Sequence, residues 1–388
     1  MNLIKQNKLK QSLLRLCVST MLFVAGVSYI PYLWCSRNAD TWYNGDLDLQ
    51  KKLARGVEKW VTEELAKKDF CTGSKQFDGE WLFGSYMMAG MGFGQTALEH
   101  PELREKHIEL MSICIERMLS SEVRAFDKDA WGNDPIETLD SDTQHHAAYL
   151  GYLNLVLSMH RLLKPDSEYA ELNDRITEAL VKRVNNSRIL LIQSYPYETY
   201  PVDNCCVIGS IGLHSRATGI DRKEILQKWA TYCREKYIDP KTGLFYQCVD
   251  SVTGEPIDHP RGSGTALGLY ALSFANMDLS QELYEAAKKH LAGTVFGFGG
   301  VREYPIHIKG ESGDIDSGPI VSGYGLSATG FLISGARIHN DREYYKRLYS
   351  TAYACGAPFE KKGKLNFVTG GSLGDAILFA MLTAGGEK

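Results

Sequence analysis

Two kinds of helical segment alternate along this chain. Apolar residues recur at a 3.6-residue period over most of its length, and strand-like alternation is scarce. The spacing predicts helices over 48–67, 80–99, 101–121, 143–163, 166–185 and 202–218. Six more are predicted over 222–237, 263–276, 279–292, 320–337, 341–355 and 372–384. The odd members are amphipathic: Gln50 to Lys67 carries Lys51, Lys52, Glu58, Lys59, Glu63 and Glu64. Even members are apolar or small nearly all round, as in Met87-Met88-Ala89-Gly90-Met91-Gly92-Phe93-Gly94. A helix apolar on every side is buried on every side. Six exposed helices alternating with six buried ones predict an all-α fold, an (α/α)6 toroid of twelve alternating inner and outer helices. No repeat of fixed length supports a solenoid instead.

The first 35 residues stand apart. Lys5, Lys8, Lys10 and Arg15 precede an uncharged run from Leu16 to Cys35, and roughly 20 apolar residues suffice to cross a bilayer as a helix. Pro31-Tyr32-Leu33-Trp34 puts bulky aromatics where a cleaved signal carries small residues. The basic flank predicts the N-terminus inside and the body outside. Residues 1–35 are therefore expected to form an uncleaved signal anchor, and residues 40–388 one toroidal catalytic domain held on the extracytoplasmic side, periplasmic in a Gram-negative cell.

The connections also fall into two kinds. Short ones such as Leu98-Glu99-His100-Pro101-Glu102 lead from inner to outer helices. Long ones lead back inward and hold polar clusters: Phe77–Trp81, Asp140–His146, Tyr200–Asn204, Pro260–Gly264, Gly313–Pro319 and Thr369–Asp375. Long loops in a compact domain commonly carry function, and helix N-termini at the same end add donors and partial positive charge. An Asp, Ser or Thr ahead of a helix is also an ordinary cap, so it is the gathering of six such clusters that predicts a pocket.

Composition narrows the partners. With 44% hydrophobic residues, 23% charged residues and a net charge of −4, the chain has ample core and no electrostatic reason to bind nucleic acid. Nine cysteines without CxxC spacing support neither a zinc ribbon nor a redox motif, and leave room for one disulfide. Oligomeric state is not legible. Candidate acids and bases are Asp78 and Glu80 beside Trp81, Asp142 ahead of His145 and His146, Asp203, Glu303 and Asp316. An apolar wall raises a carboxyl pKa, crowded carboxylates hold one another's protons, and a histidine can relay them. Trp81, Tyr152, Tyr200, Cys205, Cys206, Arg261, Arg302 and Tyr304 are the candidate substrate contacts. Adjacent histidines on a helix point about 100° apart, which disfavours a metal. Gly297-Phe298-Gly299-Gly300 lacks the GK[ST] sequel of a phosphate cradle.

Gly132-Asn133-Asp134-Pro135-Ile136-Glu137, Gly151-Tyr152-Leu153-Asn154-Leu155, Asp203-Asn204 through Arg216-Ala217-Thr218-Gly219, and Tyr237-Ile238-Asp239-Pro240-Lys241-Thr242-Gly243-Leu244-Phe245-Tyr246 resemble the linalool dehydratase-isomerase family. The resemblance implies an exported (α/α)6 toroid and cofactor-free water elimination and double-bond isomerisation on a terpene alcohol. It sets Ser194 and Asp203 where that family has two catalytic cysteines, and Tyr152 where it has a histidine. The expected function is thus a cofactor-independent acid/base lyase or isomerase acting on an alcohol-bearing, terpenoid or otherwise hydroxylated small molecule. The alternatives are a glycoside hydrolase or sugar lyase acting on an extracytoplasmic glycan, and a membrane-tethered glycan- or lipid-binding protein.

Overall fold

A computed structural model describes residues 2–309 and 312–385; the last three residues of the expected domain, 386–388, lie outside it. After α1 (Asn2–Cys35) and α2 (Ala39–Tyr43) come α3 (Leu47–Glu63), α4 (Lys75–Glu99), α5 (Arg104–Leu119), α6 (Ala125–Trp131), α7 (Ala147–Leu163) and α8 (Ala170–Asn186). The chain continues through α9 (Pro201–Thr218), α10 (Lys223–Lys236), α11 (Gly262–Leu272) and α12 (Met277–His290). It closes with α13 (Leu326–Ile338), α14 (Arg342–Gly356) and α15 (Gly371–Thr383).

Helices α4, α7, α9, α11, α13 and α15 touch in that order, and α15 returns to α4, closing a ring. The amphipathic α3, α5, α8, α10, α12 and α14 pack outside it. This is the (α/α)6 arrangement the alternation predicts. Tight inner packing explains the small residues: a Cβ on Gly151 would lie 3.0 Å from the Val207 backbone nitrogen, so only glycine lets α7 approach α9 this closely. Inner helices run from the mouth toward the base. Near the base, Tyr270 of α11 donates to Gln95 Oε1 of the opposite helix α4 at 3.0 Å, and Gln95 donates to the Ala380 carbonyl of α15 at 2.8 Å. These bonds cross the ring axis and close its floor.

The fold is not purely helical. Three antiparallel hairpins occupy connections at the mouth end and flank: β1 (Ala292–Val295) with β2 (Phe298–Val301), β3 (Ile320–Val321) with β4 (Tyr324–Gly325), and β5 (Pro358–Lys361) with β6 (Lys364–Phe367). Strands of two to four residues are too short to show alternation in the sequence. Hairpin β3–β4 thus takes the first residues of the helix expected from 320, and α13 starts at Leu326. Likewise α7 starts at Ala147 rather than 143, because His146 adopts a left-handed conformation (φ 54°). Helix α4 starts earlier than expected, capped by Ser74, so Phe77–Trp81 lie within its first turns.

Helix α1 is long and apolar enough to cross a membrane. Its side chains are largely exposed until Tyr32 and Cys35 settle against the body. All nine cysteines are free, so the disulfide allowed for is not formed. Cys114 and Cys233 are buried in the core, whereas Cys355 is exposed.

Candidate active site

Glu80 sits in the second turn of α4, half-buried. Burial pushes its carboxyl up to about 7, helped by nearby Asp316 and Asp203, while a hydrogen bond from the Tyr195 hydroxyl draws it down. Asp203, in the first turn of α9, is also raised by burial and accepts hydrogen bonds from Ser194 and, at 2.9 Å, from the Tyr152 hydroxyl. Asp316 is raised to about 6 by its surroundings and by the charges of Asp314 and Asp203. The residue is exposed to solvent. Thus α4, α9 and the loop ahead of α13 bring three carboxylates within electrostatic reach of one another.

The adjoining cleft, of about 650 Å3, is lined by Thr72, Trp81, Gly313, Asp314, Ile315 and Pro319. A hollow of about 550 Å3 on the outer surface of α10, lined by Glu224, Lys228 and Glu235, lies away from Glu80, Asp203 and Asp316. Beneath Asp203, the Cys206 thiol lies beside Tyr152. Cys205 and Cys206 are both buried, and burial pushes both thiols up. A buried neutral thiol is a poor nucleophile, and both cysteines read as packing.

An ion-pair network shapes the loop that carries Asp316. Arg261, almost fully buried, donates Nε to Glu303 at 2.9 Å and grips Asp314 with both terminal nitrogens at 2.6 and 2.9 Å. Glu303 is wholly buried and also accepts from Ser263 at 2.5 Å, so it serves Arg261. Tyr304 lies 5.6 Å from the Arg261 guanidinium. Arg302 stacks on Tyr324 at 4.7 Å.

Other candidates are occupied elsewhere. Asp78 accepts the Thr72 amide and hydroxyl at 2.9 and 2.7 Å, which holds its carboxyl below the usual range. Asp142 is exposed and pairs with Lys182 of α8 at 2.8 Å. His146 is buried, with Nδ1 2.6 Å from Asp127 and Nε2 3.2 Å from Thr138. Trp131 packs against its ring. His145 accepts the Gln193 amide at Nδ1, and burial lowers it to about 4. Tyr200 donates to Glu198 at 2.9 Å. Sequence reasoning missed Tyr195 and Asp127, and reached Ser194 only through the resemblance. The turn signal Tyr195-Pro196-Tyr197 marks where the first of these sits but not where it points. Among the described residues, no group of three or more His, Cys, Asp or Glu is placed to hold a metal.

No family model matches this chain, and no curated protein matches it. Among solved structures it is similar to the alpha-1,6-mannanase GH76A of Salegentibacter sp. HEL1_6. An inactive variant in complex with alpha-1,6-mannotetrose aligns at 12% identity and TM-score 0.51, over 87% of this chain and 98% of that one. A second inactive variant, in complex with alpha-1,6-mannotriose, aligns at 13% identity and TM-score 0.51, over 87% and 99%. The likeness establishes a shared (α/α)6 fold. In both variants two consecutive aspartates are replaced; this chain has no Asp-Asp pair.

These matches overturn the expected kinship with linalool dehydratase-isomerases, and with it the lyase and isomerase reading. Several of the residues that carried the resemblance build scaffold. Gly151 permits the α7–α9 approach, Asn154 is tied to Thr177 and Ser210 at 3.0 Å each, and Asp239 accepts from Thr242 at 2.6 Å within a turn. Any (α/α)6 ring has use for such residues, whatever its reaction.

Proposed function

We propose that this protein is a glycoside hydrolase acting on a glycan, with Glu80 as general acid and Asp316 as its ionised partner. The observation that carries the reading is the Glu80 carboxyl, held to about 7 beside two further carboxylates and next to Trp81 in the cleft wall. At neutral pH such a group retains a proton to give. Glycosidic cleavage needs that donor and a second carboxylate to activate water or attack the anomeric carbon. In the reaction Glu80 protonates the leaving oxygen as the glycosidic bond breaks. Water adds to the anomeric carbon and its proton passes to Asp316, after which a proton returns to Glu80. Asp203 lies near both groups, its carboxyl raised by burial and steadied by Tyr152 and Ser194. The manno-oligosaccharides held by the two similar structures make alpha-1,6-linked mannose the first substrate to try.

The test is incubation of the purified full chain with alpha-1,6-mannotetrose and a panel of other oligosaccharides, read by mass spectrometry. Cleavage with gain of one water, lost in Glu80→Gln, is the expected result. Binding without cleavage anywhere in the panel, or full turnover by Glu80→Gln, overturns the assignment.

A further inference from the structure

The β1–β2 hairpin ends in the two-residue turn Phe296-Gly297, with both residues at positive φ (50° and 93°). Such turns favour Asn-Gly or Asp-Gly, because a bulky residue at positive φ strains the backbone. Here the strained position holds a phenylalanine that is 63% exposed, beside Val295 at 51%. The same turn grips the end of α1. A Cβ on Gly297 would lie 2.7 Å from the Tyr32 ring, and Tyr32 meets Phe298 edge-on at 5.8 Å, leaving Tyr32 only 8% exposed.

Depth follows from contact. If α1 spans the bilayer through its uncharged run from Leu16 to Cys35, then Tyr29, Tyr32 and Trp34 lie at the membrane–water boundary, where aromatic rings collect. A turn touching Tyr32 lies at the same level. Its exposed Phe296 and Val295 then face acyl chains and headgroups instead of water. Basic groups flank the two elements: Arg37 stacks 4.1 Å over Trp34 at the end of α1, and Arg347 reaches Thr294, next to Val295, at 3.5 Å, where lipid phosphates would lie.

We propose that the Val295-Phe296 tip inserts into the phospholipid headgroup–acyl boundary beside α1, giving the toroid a second attachment and a fixed tilt on the membrane. The inference rests on α1 being retained as a span. To test it, the full chain is reconstituted in phosphatidylcholine–phosphatidylglycerol vesicles with and without brominated acyl chains. Phe296→Trp supplies a reporter at the tip, and Trp34→Phe isolates the signal at the end of α1. Because residue 296 is exposed and stays aromatic, thermal melts should match wild type. The expected result is blue-shifted emission added by Phe296→Trp, most of which brominated lipid quenches. Unquenched, water-like tip emission alongside a quenched Trp34 overturns the docking and leaves the span standing. If neither is quenched, the span fails and the inference with it.

Discussion

Tyr195 donates its hydroxyl to the Glu80 carboxyl, joining the loop ahead of α9 to the second turn of α4. The bond favours the ionised carboxylate and so opposes burial, which holds Glu80 at about 7. Tyr195→Phe removes the donor and little else. The basic limb of the kcat/KM–pH profile should therefore move above that of the wild type. A limb that stays in place would separate it from Glu80.

Glu80→Gln should lower kcat by roughly 10²–10⁴-fold, the usual loss on removing a general acid. The same change should stabilise the fold in alkali. A carboxyl raised above its unfolded pKa contributes stability below that unfolded value, and the contribution is lost as pH rises through the folded value. Gln removes the cost of ionising a buried carboxyl, so unfolding at pH ~8 should become harder by about 1–3 kcal/mol, with almost no difference at pH ~4. Denaturant titrations at both pH values check the sign.

The productive state needs Asp316 ionised and Glu80 protonated, and these groups titrate at about 6 and about 7. Activity should therefore follow a narrow bell whose limbs belong to the coupled pair. In Asp316→Asn the residual activity should lose its acid limb and keep the basic one. A residual profile that still rises through pH ~6 would remove Asp316 from the role of base.

Arg261→Ala leaves Glu303 wholly buried without its cation. Breaking a buried pair from one side costs about 3–5 kcal/mol, which urea unfolding will register. Adding Glu303→Gln should recover part of that loss, since the stranded charge is gone. Unless the charge is the cause, the double variant will be no better than the single one.

Asp142→Asn should change stability by less than about 0.5 kcal/mol and leave turnover as it was. The side chain is exposed and its partner Lys182 belongs to the outer layer. A large loss of turnover would return Asp142 to the reaction.

The ring was legible because inner helices such as α4 and α11 are apolar or small on all sides, a pattern only an enclosed helix tolerates. Local backbone events were not. The left-handed turn at His146 and the short hairpin before Leu326 displaced two helix starts and leave no periodic trace. Glu80, Asp203 and Asp316 were visible as acids in the right connections, yet Asp142 looked the same. Sequence places a carboxylate near a helix start without saying whether it turns toward the axis or toward a lysine outside. Tyr195 lay in a loop with no period to orient it. The mistaken kinship arose where scaffold and chemistry share residues, at Gly151 and Asp239.

The bond between Gln95 and Tyr270 seals one end of the ring, so a polymer has no way to thread through it. On the proposed hydrolase reading, a long glycan would instead have to reach Glu80 across the open rim.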